Sequence, residues 1–281
     1  MRLVVLAAEN DALPAGKVGG IGDVIREYPQ VLADKEHQVD VFTPGYGMYL
    51  KRKIAAEHKG VLDVSFAGAT ERVELFCYQP ENSPALLRQW VVEHPLFAAC
   101  GVGNIYCTDA SEEVFAQDSN KFALFCAAVA TALTNGVVPR PEVIHLHDWH
   151  CAFFSLLQHY GKDFAALKKI HTVLTIHNLA VQGIRPFEAN ESSLSVWFPF
   201  LSYPAEQICD PQYKDCVNPL RAAIRLADKV HIVSPSYAQQ LKARPHGFGL
   251  EGLFEALGDR FVGLLNGLDE RRFEPPSTLM H

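Results

Sequence analysis

The segment His145-Leu146-His147-Asp148-Trp149-His150 concentrates three imidazoles and a carboxylate within six residues. Side chains of this kind hold divalent metals or carry protons, and their spacing approaches the ligand run of a two-metal hydrolytic centre. The aspartate, however, adjoins the middle histidine, and His145 and His147 fall on or beside an apolar run, as satisfied core histidines do. A second segment, Gly16-Lys17-Val18-Gly19-Gly20-Ile21-Gly22-Asp23-Val24, suits anion binding. Gly19 and Gly20 let backbone N–H groups come close to a ligand, a following helix offers unpaired N–H groups, and Lys17 adds a cation. The competing reading is a sharp strand-to-helix turn with a solvated lysine.

Standard nucleotide motifs do not account for the glycines. A dinucleotide turn would place its third glycine where Ile25 stands, and the next strand, ending in Thr43-Pro44, has no carboxylate for a ribose. A Walker loop needs lysine after its glycines, whereas Lys17 precedes them. The chain has no G-x-S-x-G nucleophile elbow, and no catalytic carboxylate pair can be picked from 32 acids by sequence position.

The elements that must carry these residues alternate between short apolar runs and longer helical patterns, which predicts an α/β fold with a Rossmann-like, doubly wound, mostly parallel sheet. Strands are expected at Leu3 to Ala8, Val39 to Phe42, Val143 to Leu146, Thr172 to Ile176, Lys229 to Val233 and Phe261 to Leu265, with a hairpin from Arg72 to Val92. Helices are expected from Ile21 to Leu32, bent at Pro29, and over Phe122 to Leu133, Trp149 to Tyr160 and Leu250 to Leu257, with others ending near Ala227 and Leu241. Residues 94 to 117 read as an irregular loop. In such a sheet the glycine turn, His147 to His150, His177-Asn178, Ser234-Pro235 and Asn266-Gly267 all come after strands, at the carboxyl edge where ligands bind. Ser234 with Pro235 also fits a plain helix cap.

Composition narrows the partners. At 281 residues and 48% hydrophobic, the chain can bury a large core. A net charge of −7 argues against nucleic acid or an anionic membrane surface as a partner. Seven cysteines without a C-x-x-C pair predict reduced thiols and a cytoplasmic location. The longest apolar stretch, Phe122 to Leu133, suits a buried helix and is too short for a membrane span.

Taken together, KVGGIGDV, HLHDWH, TIHNLAVQG, VSPSYA and LLNGLDERRFEP resemble, in order and from Lys17 to Pro275, the N-terminal catalytic-domain motifs of bacterial glycogen synthases and plant starch synthases. The resemblance implies one half of a GT-B architecture and retaining transfer of glucose from ADP-glucose to the non-reducing end of an α-1,4-glucan. It implies that Lys17, Gly19 and Gly20 contact the donor, Asp148 and His177 face the transferred glucose, and Asn178 steadies the adjoining loop. No metal or cofactor is required by that scheme. The sequence departs from the family pattern at Val18, Phe115, Lys121, Val181 and Phe273. Family members continue into a second domain, so residues 1–281 are expected to be the N-terminal domain with the C-terminal nucleotide-binding domain absent. A chain carrying that C-terminal half is then an expected partner. A glucan-binding or regulatory module without turnover, and a metallohydrolase, are the competing readings.

Overall fold

The structure is a computed structural model and describes residues 1–50, 54–108, 114–243 and 245–267. Strand β1 (Arg2–Leu6) leads into helix α1 (Gly20–Asp34), followed by β2 (Gln38–Pro44), β3 (Glu57–Phe66), β4 (Ala69–Tyr78) and β5 (Leu87–Glu93). Helix α2 (Val114–Thr134), β6 (Val143–His147), α3 (Asp148–Tyr160) and β7 (His171–Ile176) come next. The short elements β8 (Arg185–Pro186), α4 (Leu194–Trp197), α5 (Ala205–Ile208) and β9 (Cys216–Val217) lead to α6 (Pro219–Leu226) and β10 (Lys229–Ile232). Helices α7 (Pro235–Gln240) and α8 (Glu251–Leu257) and strand β11 (Phe261–Gly263) complete the described elements.

Nine strands form one sheet in the order β11-β10-β7-β6-β1-β2-β5-β4-β3. Pairing is parallel from β11 across to β5, and antiparallel where β4 and β3 extend the edge. The alternation of a strand decides which helix each side chain meets. Val4 and Leu6 of β1 join the larger core with α2, α3 and α6, whereas Leu3 and Val5 join Ile21 and Ile25 of α1 on the opposite face. The sheet is therefore covered on both faces, as the doubly wound pattern requires. Each fully buried side chain of this size contributes about 1.5–3 kcal/mol.

The strand order reverses between β1 and β6. From β1 the chain passes to β2, then to the edge strand β3 and back through β4 to β5, all on one side, and from β6 it proceeds the other way through β7, β10 and β11. The crevice beyond the carboxyl ends of those two strands is the ligand position typical of open α/β sheets.

Several elements differ from the sequence reading. Strand β3 was not expected, although Leu62, Val64 and Phe66 alternate buried with exposed neighbours as a half-buried strand should. Helix α2 begins at Val114, well before the apolar run at Phe122. Its polar first turns are held from within, because fully buried Lys121 pairs with Asp118 at 2.7 Å and donates to the Ile105 carbonyl at 2.7 Å. Helix α1, by contrast, runs through Pro29 as the sequence reading has it.

The expectation of uniformly reduced thiols is also corrected: Cys100 and Cys107 form a disulfide with their Cα atoms 5.3 Å apart. Between them Gly101 and Gly103 take φ values of 110° and 82°, which fold the loop back on itself. No local pattern in a six-residue spacer announces that turn. Among the described residues Cys77, Cys126, Cys151, Cys209 and Cys216 are free. Also among them, no helix is long and apolar enough to cross a membrane.

Candidate active site

A cavity of about 640 Å³ opens at the carboxyl edge of the sheet, over the β1/β6 crevice. That volume suits a small organic ligand. Residues beyond the ends of five strands reach it: Gly19 and Gly20 after β1, Asp148, Trp149 and His150 after β6, His177 and Asn178 after β7, Val233 after β10, and Asn266 after β11.

The glycine turn is shaped by an acid. Glu9, buried just past β1, accepts the Val18 N–H at 2.9 Å and the Gly19 N–H at 2.5 Å, and its other oxygen accepts the Tyr106 hydroxyl at 2.8 Å. Gly19 is the N-cap of α1, no side chain caps that helix, and Gly19, Gly20 and Ile21 at its start line the cavity. A Cβ on Gly20 would meet nothing within 4 Å. The missing side chain there serves no packing need and leaves open space on the cavity wall.

Lys17 does not line the cavity. Its stem crosses Gly22, where a Cβ would come within 2.9 Å of the lysine chain, and its ammonium pairs with Asp23 at 2.6 Å. The pair is 39% exposed on both sides, as a surface ion pair is, and such pairs contribute little to stability.

Asp148 is the first residue of α3 and has a φ of 58°, a left-handed conformation that aspartate tolerates better than most residues. Its Oδ1 accepts the N–H groups of His177 at 2.7 Å and Asn178 at 3.3 Å, which ties the turn after β7 to the start of α3. Oδ2 has no hydrogen-bond partner among the described residues and is not sealed from solvent. Burial pushes this carboxyl up to about 7, against the pull of the two backbone N–H groups. Asn178 closes the turn by accepting the Ala180 N–H at 3.0 Å.

Burial and the nearby His231 draw His177 down to about 4, so it is neutral at pH 7 and can donate and accept at once. Burial likewise holds His145 and His150 at about 3 and His147 well below its ordinary value. The three histidines of the HLHDWH segment do not form a common ligand set. Both ring nitrogens of His145 and of His147 are committed to other partners, and His150 packs against Tyr106 and Phe122. Among the described residues the group with ligand atoms gathered within 4.8 Å is Cys100, Cys107 and Asp118, two of which are the disulfide.

The remaining wall is aromatic. Phe115 stacks on Trp149 with centroids 5.9 Å apart, and both line the cavity with Tyr106 and Val181. Gly183, at φ 71°, lies under Trp149, where a Cβ would come within 2.5 Å of the indole. Of the family departures, Val18, Phe115 and Val181 thus border the cavity, Lys121 is buried behind it, and Phe273 lies outside the described residues. Ser234 accepts the Tyr237 N–H at 3.3 Å as the cap of α7.

Sequence reasoning missed Glu9, Tyr106 and Asp118 as lining residues, whereas Trp149 and His150 line the cavity as their place after the strand at 143 predicts. Glu9 carried a signal, being an acid directly after a buried strand. Tyr106 carried none, because its position depends on the fold of the disulfide loop.

Comparison with known proteins places this geometry among related chains. Residues 2–256 match the starch synthase catalytic domain family. Glycogen synthase 1 of Synechocystis sp. is 32% identical over 98% of this chain and 49% of its own length. Glycogen synthase of Methylocella silvestris is 32% identical over 97% of this chain and 53% of its own. The solved catalytic domain of starch synthase IV from Arabidopsis thaliana, bound to ADP and acarbose, superposes with a TM-score of 0.78 at 26% identity, covering 99% of this chain and 54% of that one. The chain spans about half the length of the curated relatives it matches.

Proposed function

The chain belongs to the starch synthase catalytic domain family, and from that premise we propose that it supplies one half of a cytoplasmic GT-B glucosyltransferase. In this reading it takes part in retaining transfer of glucose from ADP-glucose to the non-reducing end of an α-1,4-glucan. The observation that carries the proposal is the meeting of the glycine turn, Asp148, His177 and Asn178 around one cavity at the sheet's switch point.

The roles derive from the chemistry of each group. As the glucosyl–phosphate bond breaks, negative charge grows on the departing diphosphate. The start of α1 at Gly19, with the space left by Gly20, receives that charge, and Lys17 leaves Asp23 to offset it. Neutral His177 and the open oxygen of Asp148 bind sugar hydroxyls, and the Phe115–Trp149 stack supports an apolar sugar face. A cavity open on one side does not exclude water, so the proposed enzyme needs a second half closing over it. That half is carried by the same polypeptide or by a partner chain.

The test is transfer of labelled glucose from ADP-glucose to glycogen by this chain, alone and paired with C-terminal halves of glycogen synthases. Transfer that appears on pairing supports the proposal. Absence of transfer with every pairing refutes it, and glucan retention without nucleotide binding would instead identify a binding module.

A further inference from the structure

A continuous hydrogen-bonded chain runs through the sheet from the cavity to its far edge. His177 Nε2 lies 2.9 Å from His147 Nδ1, and His147 Nε2 lies 3.4 Å from the Tyr28 hydroxyl. That hydroxyl is 3.1 Å from His145 Nδ1, and His145 Nε2 is 2.7 Å from Thr175 Oγ1. Thr175 Oγ1 is 3.0 Å from His231 Nδ1, and His231 Nε2 is 3.2 Å from the Leu264 carbonyl oxygen. Taken singly, every link but the last could run in either direction. A carbonyl oxygen only accepts, so the final link has a fixed sense.

We propose that Tyr28, His145, His147, Thr175 and His231 are positioning residues which, anchored on the Leu264 carbonyl, hold His177 as its Nε2–H tautomer and leave Nδ1 as an acceptor at the cavity. The direction propagates one group at a time. His231 donates from Nε2 to Leu264, so its Nδ1 accepts the Thr175 hydroxyl proton. Thr175 oxygen then accepts from His145 Nε2–H, and His145 Nδ1 accepts from the Tyr28 hydroxyl. Tyr28 oxygen accepts from His147 Nε2–H, and His147 Nδ1 accepts from His177 Nε2–H.

Each imidazole must carry one proton for this order to hold, and burial lowers the proton affinity of all four rings. Burial also keeps the proton on Tyr28. His177 lines the cavity, and its Nδ1 has no partner among the described residues and is not enclosed. An acceptor nitrogen there receives an O–H and repels phosphate or carboxylate oxygens. Assigning that O–H to a sugar hydroxyl rests on the glucosyl-transfer reading, whereas the tautomer does not.

The experiment is long-range and through-hydrogen-bond nitrogen correlation spectroscopy on the ¹⁵N-labelled chain without ligand at neutral pH. The expected result is a His177 Nε2-bound proton coupled to His147 Nδ1. Tyr28→Phe and Thr175→Val each keep the side chain's bulk, and each is expected to abolish that coupling and mix the His177 tautomers. A merely structural role for these two residues would lower the melting temperature and leave the coupling in place. A proton on His147 Nδ1 or His177 Nδ1 in the wild type, or coupling that survives both substitutions, overturns the proposal. If a variant fails to fold, the wild-type spectrum alone still decides the direction. Because no turnover is measured, a failed relay leaves the glucosyl-transfer proposal standing, and failed transfer leaves the relay standing.

Discussion

Glu9→Ala removes the acceptor around which the glycine turn is built, and the structure sets the size of the effect. Three donors, the Val18 N–H, the Gly19 N–H and the Tyr106 hydroxyl, converge on a carboxylate that is 2% exposed. A buried donor left unsatisfied costs about 1–3 kcal/mol. Water entering from the cavity recovers part of that for groups on its wall, so the total is about 2–4 kcal/mol. Near the midpoint, 1 kcal/mol moves the melting temperature of a domain this large by about 2–4 °C, which predicts a loss of about 4–16 °C. Glu9→Gln keeps a carbonyl oxygen for both backbone N–H groups, and the Tyr106 hydroxyl can rotate to accept from the new amide. It forfeits only the charge assistance, about 1 kcal/mol. The assay is thermal unfolding of both variants beside the wild type, with urea melts to check that the unfolding slope is unchanged. Alanine and glutamine variants that melt together would refute the claim that Glu9 organises the turn by accepting hydrogen bonds.

The remaining predictions concern pH and the cavity wall. Between about pH 4.5 and 6.5 the folded chain keeps His145, His147, His150 and His177 neutral, while Asp148 and Glu93, each pushed up to about 7 by burial, stay protonated. The unfolded chain protonates the four histidines and ionises the two carboxyls, so it binds two more protons. Stability therefore falls as pH drops, by about 3 kcal/mol per pH unit from these groups, and urea melts at stepped pH that showed a flat or opposite slope would contradict it. Gly20→Ala is expected to leave the melting temperature unchanged or slightly raised, because its Cβ meets nothing, while weakening ADP-glucose use in the assembled enzyme about tenfold or more. Lys17→Ala should change stability by less than about 1 kcal/mol, since it breaks an exposed pair, yet lower transfer about 100-fold. Lost stability with intact turnover would reverse the role given to Lys17.

The parallel strands were legible because buried strands of this kind are short apolar runs bounded by turn residues, as Leu3 to Ala8 and Val143 to Leu146 are. The covered helix Phe122 to Leu133 was legible for the same reason. The start of α2 was not, because its first turns are polar and owe their burial to the Lys121–Asp118 pair and the Ile105 carbonyl. Strand β3 was overlooked although its alternation was present in Val61 to Phe66.

From the sequence alone came the strand ends at which chemistry sits: a glycine turn with Lys17, the run ending in Asp148 and His150, and His177-Asn178. Those are local matters, since chain order and residue type determine which groups stand at the end of each apolar run. Only the tertiary structure decided what those residues do to one another. It turned Lys17 toward Asp23 and gave two of the turn's N–H groups to Glu9. It also set Asp148 as the clamp of the His177 turn and linked four histidines through Tyr28 and Thr175. Each of those contacts joins groups from different elements, and the direction and reach of a side chain across a sheet are properties of packing, which no local pattern encodes.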